Sequence, residues 1–317
     1  MLRIKGHFRA FLLLLTLAIS LVFSGFSAAR YNDTRKGRVI EGVNEAMCPY
    51  YLSICAVFQN EGPWLKEWLE FHRLVGVQHF YLYNNNSEDD YFEILLPYID
   101  EGIVELIDWP TPWEENLTVI QEAVYNHCVK KSIGETLWLA VVDVDEFIIP
   151  IDKSDLCSLL RPYDKDSRIG GIMVFWQFYG TSWIHKLAPD KLLTESMVLK
   201  MPFDDVWNRQ VKSICKPHKV ARYCVHGAHY KPGYCDITTN GKGGPHQPVQ
   251  INRLRINHYW TRDEDYFVNI KVPRRAKWEG RMMTPGEINT CLESMNRVED
   301  RIMDRFVPAL RQRVFGY

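Results

Sequence analysis

The sequence has no excess of either charge. Lys and Arg number 38 and Asp and Glu 39, so no global field points to nucleic acid as a partner. It has no internal repeat and no low-complexity tract, which excludes a repeat array. Eight cysteines are present, but no Cys-x-x-Cys or Cys/His spacing of the kind that encloses structural zinc. The Asp-x-Asp-x-Asp-Gly core of an EF-hand is also missing. What remains is a chain with 46% hydrophobic residues, enough for one large catalytic domain or one domain with a small appendage. Its 10 Trp and 16 Tyr are read as ordinary core and surface residues, with aromatic platforms for sugar faces as the alternative.

The N-terminus carries a targeting signal. Arg3, Lys5 and Arg9 precede an uncharged run from Ala10 to Ala29, and about 20 such residues span a bilayer as a helix. Positive charge ahead of the run keeps the N-terminus cytoplasmic. Residues 1–29 are therefore read as a membrane anchor. A cleaved signal peptide is the alternative, because Ser27-Ala28-Ala29 offers small residues to a peptidase. Residues 30–47, polar and weakly patterned, read as a stem, and residues 48–317 as the main domain. An anchor suits a single-pass type II protein facing a Golgi lumen, and cleavage would give a secreted one. Asn32, Asn85 and Asn116 each begin an Asn-x-Ser/Thr sequon, usable only in a lumen. Cys55 and Cys128 read as buried thiols. Cys215, Cys224 and Cys235, with Cys48, Cys157 and Cys291, are expected to supply one or two disulfides.

From Tyr51 the chain alternates. Apolar strands are predicted over 51–58, 79–83, 103–107 and 137–142, with helices from Pro63, from Tyr91 to Ile99, and around Val119 to Cys128. This βαβαβαβ order argues for an α/β fold with a mostly parallel central sheet flanked by helices. Ligands of such sheets bind beyond the carboxyl ends of the strands. Gln59-Asn60-Glu61, Asn84-Asn85-Asn86 and Asp143-Val144-Asp145 each follow a strand, so all three clusters should share one rim. After Pro150 the pattern loosens: a strand over Gly170 to Trp176, long loops over Lys212 to Pro248, and one C-terminal helix with Ile288, Cys291, Leu292, Met295, Val298, Ile302 and Phe306 as its core-facing stripe.

Asp143 and Asp145 flank one residue, so in an extended segment they point the same way. Both can reach one hard cation, Mn2+ or Mg2+, with diphosphate oxygens completing its shell. Such a cation neutralises charge on a leaving nucleoside diphosphate. Glu146 either supports the metal ligands or caps the turn. Asn60 and Glu61 should line a nucleoside pocket, and one of Lys212, Lys271, Arg274 and Arg275 should reach the donor.

These residues resemble a known family. Ala56 to Glu61, Trp64-Leu65, Glu67-Trp68, Phe80 to Asn85, Gln121, Asn126-His127-Cys128, Asp143 to Phe147 and Asn257-His258-Tyr259 are similar in order and spacing to glycosyltransferase family 92, the former DUF23 group. The resemblance covers roughly Tyr51 to Lys277. It implies a GT-A (nucleotide-diphospho-sugar transferase) fold, type II topology and a manganese-type cation. It further implies a UDP-sugar donor, UDP-galactose by analogy with inverting β-galactosyltransferases, and a glycan acceptor. It places Asn60, Glu61, Asn85, Gln121 and Lys271 at the donor, and His258 beside Asp143 and Asp145 as a metal ligand. Inversion requires one general base. Glu195 matches a family glutamate and is the first candidate, with Asp204 and Asp205 as alternatives. One departure stands out: Phe178-Tyr179-Gly180-Thr181-Ser182-Trp183 has a tryptophan where a small residue is expected, which leaves the acceptor open.

Two other readings compete. A haloacid-dehalogenase-like phosphatase also places Asp-x-Asp after a strand, but here Phe147 occupies the place of Thr or Val and three βα units come first. A non-catalytic secreted sugar-binding protein on a transferase scaffold would not need both aspartates.

Overall fold

The structure is a computed structural model and describes residues 45–112, 115–244 and 247–317. The anchor segment lies outside these residues, as does the stem up to residue 44. No helix among the described residues is long and apolar enough to cross a membrane. Glu45, within the segment read as stem, pairs with Lys216 (2.7 Å), His218 (3.3 Å) and Lys219 (3.3 Å) of the main domain.

β1 (Tyr50–Phe58) is buried at Leu52, Ile54, Cys55 and Ala56, as an apolar strand covered on both faces must be. α1 (Gly62–Leu74) starts with Pro63, where a missing N–H costs nothing, and buries Leu65, Trp68, Leu69 and Phe71 against the sheet. β2 (His79–Asn84), α2 (Tyr91–Asp100), β3 (Val104–Asp108), α3 (Leu117–Lys131) and β4 (Thr136–Val141) follow. Asn116 caps α3, its side chain accepting from the Thr118 N–H at 2.8 Å. β1 pairs in parallel with β2 on one side and β4 on the other, and β2 pairs in parallel with β3. The order β3-β2-β1-β4 makes the chain build outward from β1 in both directions. The strand ends between β1 and β4 are the switch point at which such sheets take ligands.

The remainder completes the sheet less regularly. β5 (Glu146–Pro150), α4 (Leu156–Leu160), β6 (Ile169–Phe178), β7 (Leu199–Lys200), β8 (Val211–Cys215), the β9 (Val220–Cys224) and β10 (Gly227–Tyr230) hairpin, β11 (Cys235–Ile237) and β12 (Leu254–His258) come next. The full order is β3-β2-β1-β4-β8-β6-β12-β5, with β11 beside β6. β8 is antiparallel to both neighbours. Gly170 and Gly171 of β6 lie directly against the Tyr230 ring, where a Cβ would collide. A π-helical turn (Phe267–Lys271) leads into α5 (Val272–Glu279). α6 (Pro285–Met295), β13 (Val298–Glu299, paired with β7) and α7 (Val307–Phe315) end the chain. α7 packs on α1, with Arg313 on Glu70 at 3.1 Å. This mixed, largely parallel sheet between helices is the α/β architecture expected from the alternation, and it fits the GT-A fold that the resemblance implies.

Three expectations are corrected. The C-terminal stripe is not one helix. Asn296 stops α6 by turning its amide to the Leu292 carbonyl (2.9 Å) and accepting from the Ser182 N–H (2.7 Å). Leu292, Met295 and Phe306 still reach the core, but Val298 is exposed. The 212–248 stretch contributes a core strand and a hairpin rather than loops alone. All eight cysteines are free. Cys215 is buried in β8 and joins Cys55 and Cys128, both buried as expected, in one apolar cluster, while Cys235 is exposed.

Candidate active site

The first corner of the site follows β1. Asn60 adopts φ 53°, a left-handed conformation that Asn tolerates better than most residues. Its side chain accepts from the Glu88 N–H (2.8 Å) and its own N–H donates to Ser87 Oγ (3.0 Å). Asn60 thus ties two rim loops together and does not line the cavity, whereas its neighbours Gln59 and Glu61 do. Glu61 is buried and holds Arg262 and, at 3.4 Å, Arg274. The Arg262 guanidinium lies over the rings of both Trp64 (4.7 Å) and Tyr266 (4.5 Å). Asn85, after β2, lines the cavity and donates to the Trp109 carbonyl and to Thr111 Oγ1, both at 2.8 Å. An amide nitrogen so buried and bonded is no glycan acceptor in the folded chain, so the Asn85 sequon is not usable there.

The second corner follows β4. The Glu146 N–H donates to the Asp143 carbonyl (3.0 Å) and Glu146 Oε2 accepts from the Asp143 N–H (3.0 Å). Glu146 therefore caps the turn. Asp143 Oδ1 accepts from Gln121 Nε2 (3.1 Å) and Tyr125 OH (2.9 Å), and Oδ2 from Lys212 Nζ (3.1 Å). Lys212 is almost fully buried. Burial disfavours its charge, but Asp143 and Glu146 outweigh that and raise its pKa.

β5 and β12 bring in the third corner. Their register sets His258 opposite Glu146, and the Tyr259 N–H donates to the Asp145 carbonyl at 2.8 Å. His258 Nε2 then lies 3.3 Å from Asp145 Oδ1, and Lys271 Nζ 2.9 Å from Asp145 Oδ2. Burial alone would raise the Asp145 pKa, but Lys271, His258 and Arg262 hold it well below the usual range. Burial lowers that of His258, against the pull of Asp145. Its ring packs on Trp176 and Phe178, each centroid 4.6 Å away.

These corners open into one cavity of about 530 Å³, the size of a small-molecule site. Glu61, Asn85, Gln121, Asp143, Asp145, His258, Lys271, Lys212, Arg274 and Arg275 all line it, so the sheet gathers every expected donor and metal residue except Asn60. The expected bases do not join them. Glu195 accepts from Arg311 (2.6 Å) and the Leu192 N–H (3.1 Å) and lines a separate groove with Lys186 and Asp304. Asp205 caps the Val206–Arg209 turn by accepting from the Trp207 N–H (3.1 Å), and Asp204 is exposed outside the cavity. Trp183 is also exposed and outside, at φ 61° after Ser182 at φ 51°. Residues not singled out in the sequence complete the wall, namely Met201, Trp207, Gln210, His226 and Met283, together with Met295, which was expected only as core packing. His226, at the tip of the β9–β10 hairpin, packs on Trp176 (5.2 Å). Burial, with Lys212 nearby, lowers its pKa to about 4. No local sequence pattern singled it out, because the stretch from Lys212 to Pro248 was expected to form loops rather than the β9–β10 hairpin.

A switch-point cavity in which carboxylates, lysines and arginines meet at strand ends is the ligand site of an α/β protein. Residues 49–295 match the model of glycosyltransferase family 92, and the chain belongs to that family. A glycosyltransferase family 92 protein of Ricinus communis is 26% identical over 279 residues, covering 83% of this chain and 48% of the relative. One of Oryza sativa subsp. japonica is 27% identical over 237 residues, covering 72% and 37%. The chain thus spans less than half the length of these relatives. A beta-1,4-galactosyltransferase of Caenorhabditis elegans is 32% identical over 113 residues, 33% of this chain and 27% of the relative. Among solved structures, S. aureus TarS is a distant likeness, at TM-score 0.37 and 10% identity over 81% of this chain and 72% of that one.

Proposed function

We propose that this chain is a metal-dependent glycosyltransferase that moves a hexose, galactose, from a UDP-sugar to a glycan acceptor with inversion. The observation that carries the reading is the meeting of Asp145, His258 and Lys271 at the rim that also holds Glu61 and Asn85. Galactose and inversion rest on the family resemblance and on the Caenorhabditis elegans relative. Placement in a Golgi lumen behind an N-terminal anchor rests on Arg3, Lys5 and Arg9 ahead of the uncharged run from Ala10 to Ala29, together with the resemblance.

The residues fit a cation. Asp145 Oδ1 and His258 Nε2 are 3.3 Å apart, close to the ~3.0 Å edge of an octahedron with bonds of about 2.1 Å. Both are sound ligands for a manganese-type ion. Among the described residues no three His, Cys, Asp or Glu side chains group tightly enough to enclose a metal, so a cation held by Asp145 and His258 would need further oxygens, which a donor diphosphate would supply. Asp143, already held by Gln121, Tyr125 and Lys212, is the outer carboxylate. The cation supplies charge neutralisation for the departing diphosphate.

The chain's own residues do the rest. Lys271, Arg274 and Arg275 present positive charge to the diphosphate, Glu61, Asn85 and Gln121 orient the nucleoside, and Trp176 and Phe178 exclude water. The acceptor oxygen bonds to the anomeric carbon as the bond from that carbon to the β-phosphate oxygen breaks. UDP leaves with the electron pair, and the hydroxyl proton passes to a cavity base, for which His226 takes the place first given to Glu195.

The test is a panel of UDP-sugars with Mn2+, followed as UDP release and product formation. UDP-galactose should be the preferred donor. Asp145→Ala should lower transfer by at least ~10³-fold, several kcal/mol of lost stabilisation, while unfolding stays cooperative. Transfer retained in that variant refutes the metal assignment.

A further inference from the structure

The cavity has a second, largely apolar wall. Met201 and Trp207 come from the connection between β7 and β8, Met283 from the α5–α6 connection, and Cys291 and Met295 from α6. Gln210 and Ser294 are the polar side chains interspersed with them. The same two connections carry Phe203 (55% exposed), Val206 (45%) and Met282 (53%). Large apolar side chains exposed next to a cavity that continues their surface mark a ligand contact rather than scattered surface residues.

Both connections are held in place. Asp205 caps the Val206–Arg209 turn. Asn208 is fully buried, its Oδ1 accepting from the Phe178 N–H (2.8 Å) and its Nδ2 donating to the Pro202 carbonyl (2.7 Å). The turn that presents Val206 and Trp207 is thereby clipped to the end of β6. On the other side Gly280, at φ 71°, ends α5, and Thr284 with Glu287 forms a capping box that starts α6. Met282 and Met283 sit between these two fixed helix ends. A wall preformed in this way binds without an ordering cost.

We propose that this wall is the acceptor subsite and that the acceptor carries an apolar group, an alkyl or aryl aglycone, beside the hydroxyl that receives the sugar. This rests on the transferase reading. A free oligosaccharide would bury hydroxyls against thioethers and rings that return no hydrogen bond, and unpaired buried hydroxyls are costly. An aglycone that meets Trp207, Met201 and Met283 and extends over Phe203, Val206 and Met282 avoids that cost.

The experiment uses the full chain saturated with UDP and Mn2+, titrated with methyl or octyl β-glucoside below the micelle concentration and followed by tryptophan fluorescence. Octyl β-glucoside should bind at least tenfold tighter than the methyl compound, since burial of about two methylenes suffices for that factor. In Phe203→Ser/Val206→Ser the gap should shrink below threefold while UDP affinity stays within twofold. Equal affinity for the two glycosides, no binding of either, or a tenfold gap that persists in the double variant overturns the proposal. Failure of UDP itself to bind would instead count against the transferase reading.

Discussion

The two walls of the cavity are made in different ways. The wall proposed for the donor stands on the ends of β1, β2 and β4, where each strand delivers its next residues to a common rim. The opposite wall stands on turns between short elements, fixed by Asp205, Asn208, Asn296 and Thr284. Strand ends concentrate charge because backbone direction and the switch point demand a polar ligand there. Clipped turns can carry apolar side chains because their backbone groups are satisfied by neighbouring side chains instead.

The largest effect expected from breaking this contrast is at Lys212, which rises from β8 into the donor wall. Lys212→Met leaves Asp143 and Glu146 without their buried cation and should cost about 3–5 kcal/mol of stability, read from the denaturant midpoint. A loss below ~1 kcal/mol would mean that the pair is not what holds the rim. The second test strikes the other wall. A Cβ at Gly180 would collide with the Asn296 amide and lie 2.8 Å from the Met295 carbonyl. Gly180→Ala should cost about 1–3 kcal/mol and raise the acceptor KM with little change in the donor KM. Equal shifts in both would show that the walls are not independent. The smallest effect is predicted at Glu195. Its ion pair with Arg311 is worth at most ~1 kcal/mol, and Glu195→Gln should leave kcat within twofold. Loss of about 10²-fold or more would restore it as the base.

The same contrast explains what could be read from residues alone. The apolar runs and helical spacings through Val142 are strong because the strands there are covered on both faces and the helices pack on the sheet. Asp143, Asp145, Glu61 and Asn85 followed directly, since a position after a strand fixes where a side chain goes. His258 was visible only through the resemblance; its approach to Asp145 depends on the antiparallel β5–β12 register, which no local pattern encodes. Glu195, the first candidate for the base, lies outside the cavity because it pairs with Arg311 and the Leu192 N–H, the former a pairing between residues 116 apart in the chain. Val298 and Ile302 continued a helical spacing that Asn296 interrupts with tertiary hydrogen bonds. Trp207, Met201 and Met283 had no signal, because isolated apolar residues in irregular sequence look the same in a core and in a subsite.

The central claim is that Asp145 and His258 hold a cation which in turn holds the donor diphosphate. Titrating UDP calorimetrically into the full chain, with Mn2+ and with the metal chelated, tests it most directly. UDP should bind at least tenfold tighter with Mn2+, and Asp145→Ala should erase the difference. UDP affinity unaffected by Mn2+ in the unaltered chain would contradict it.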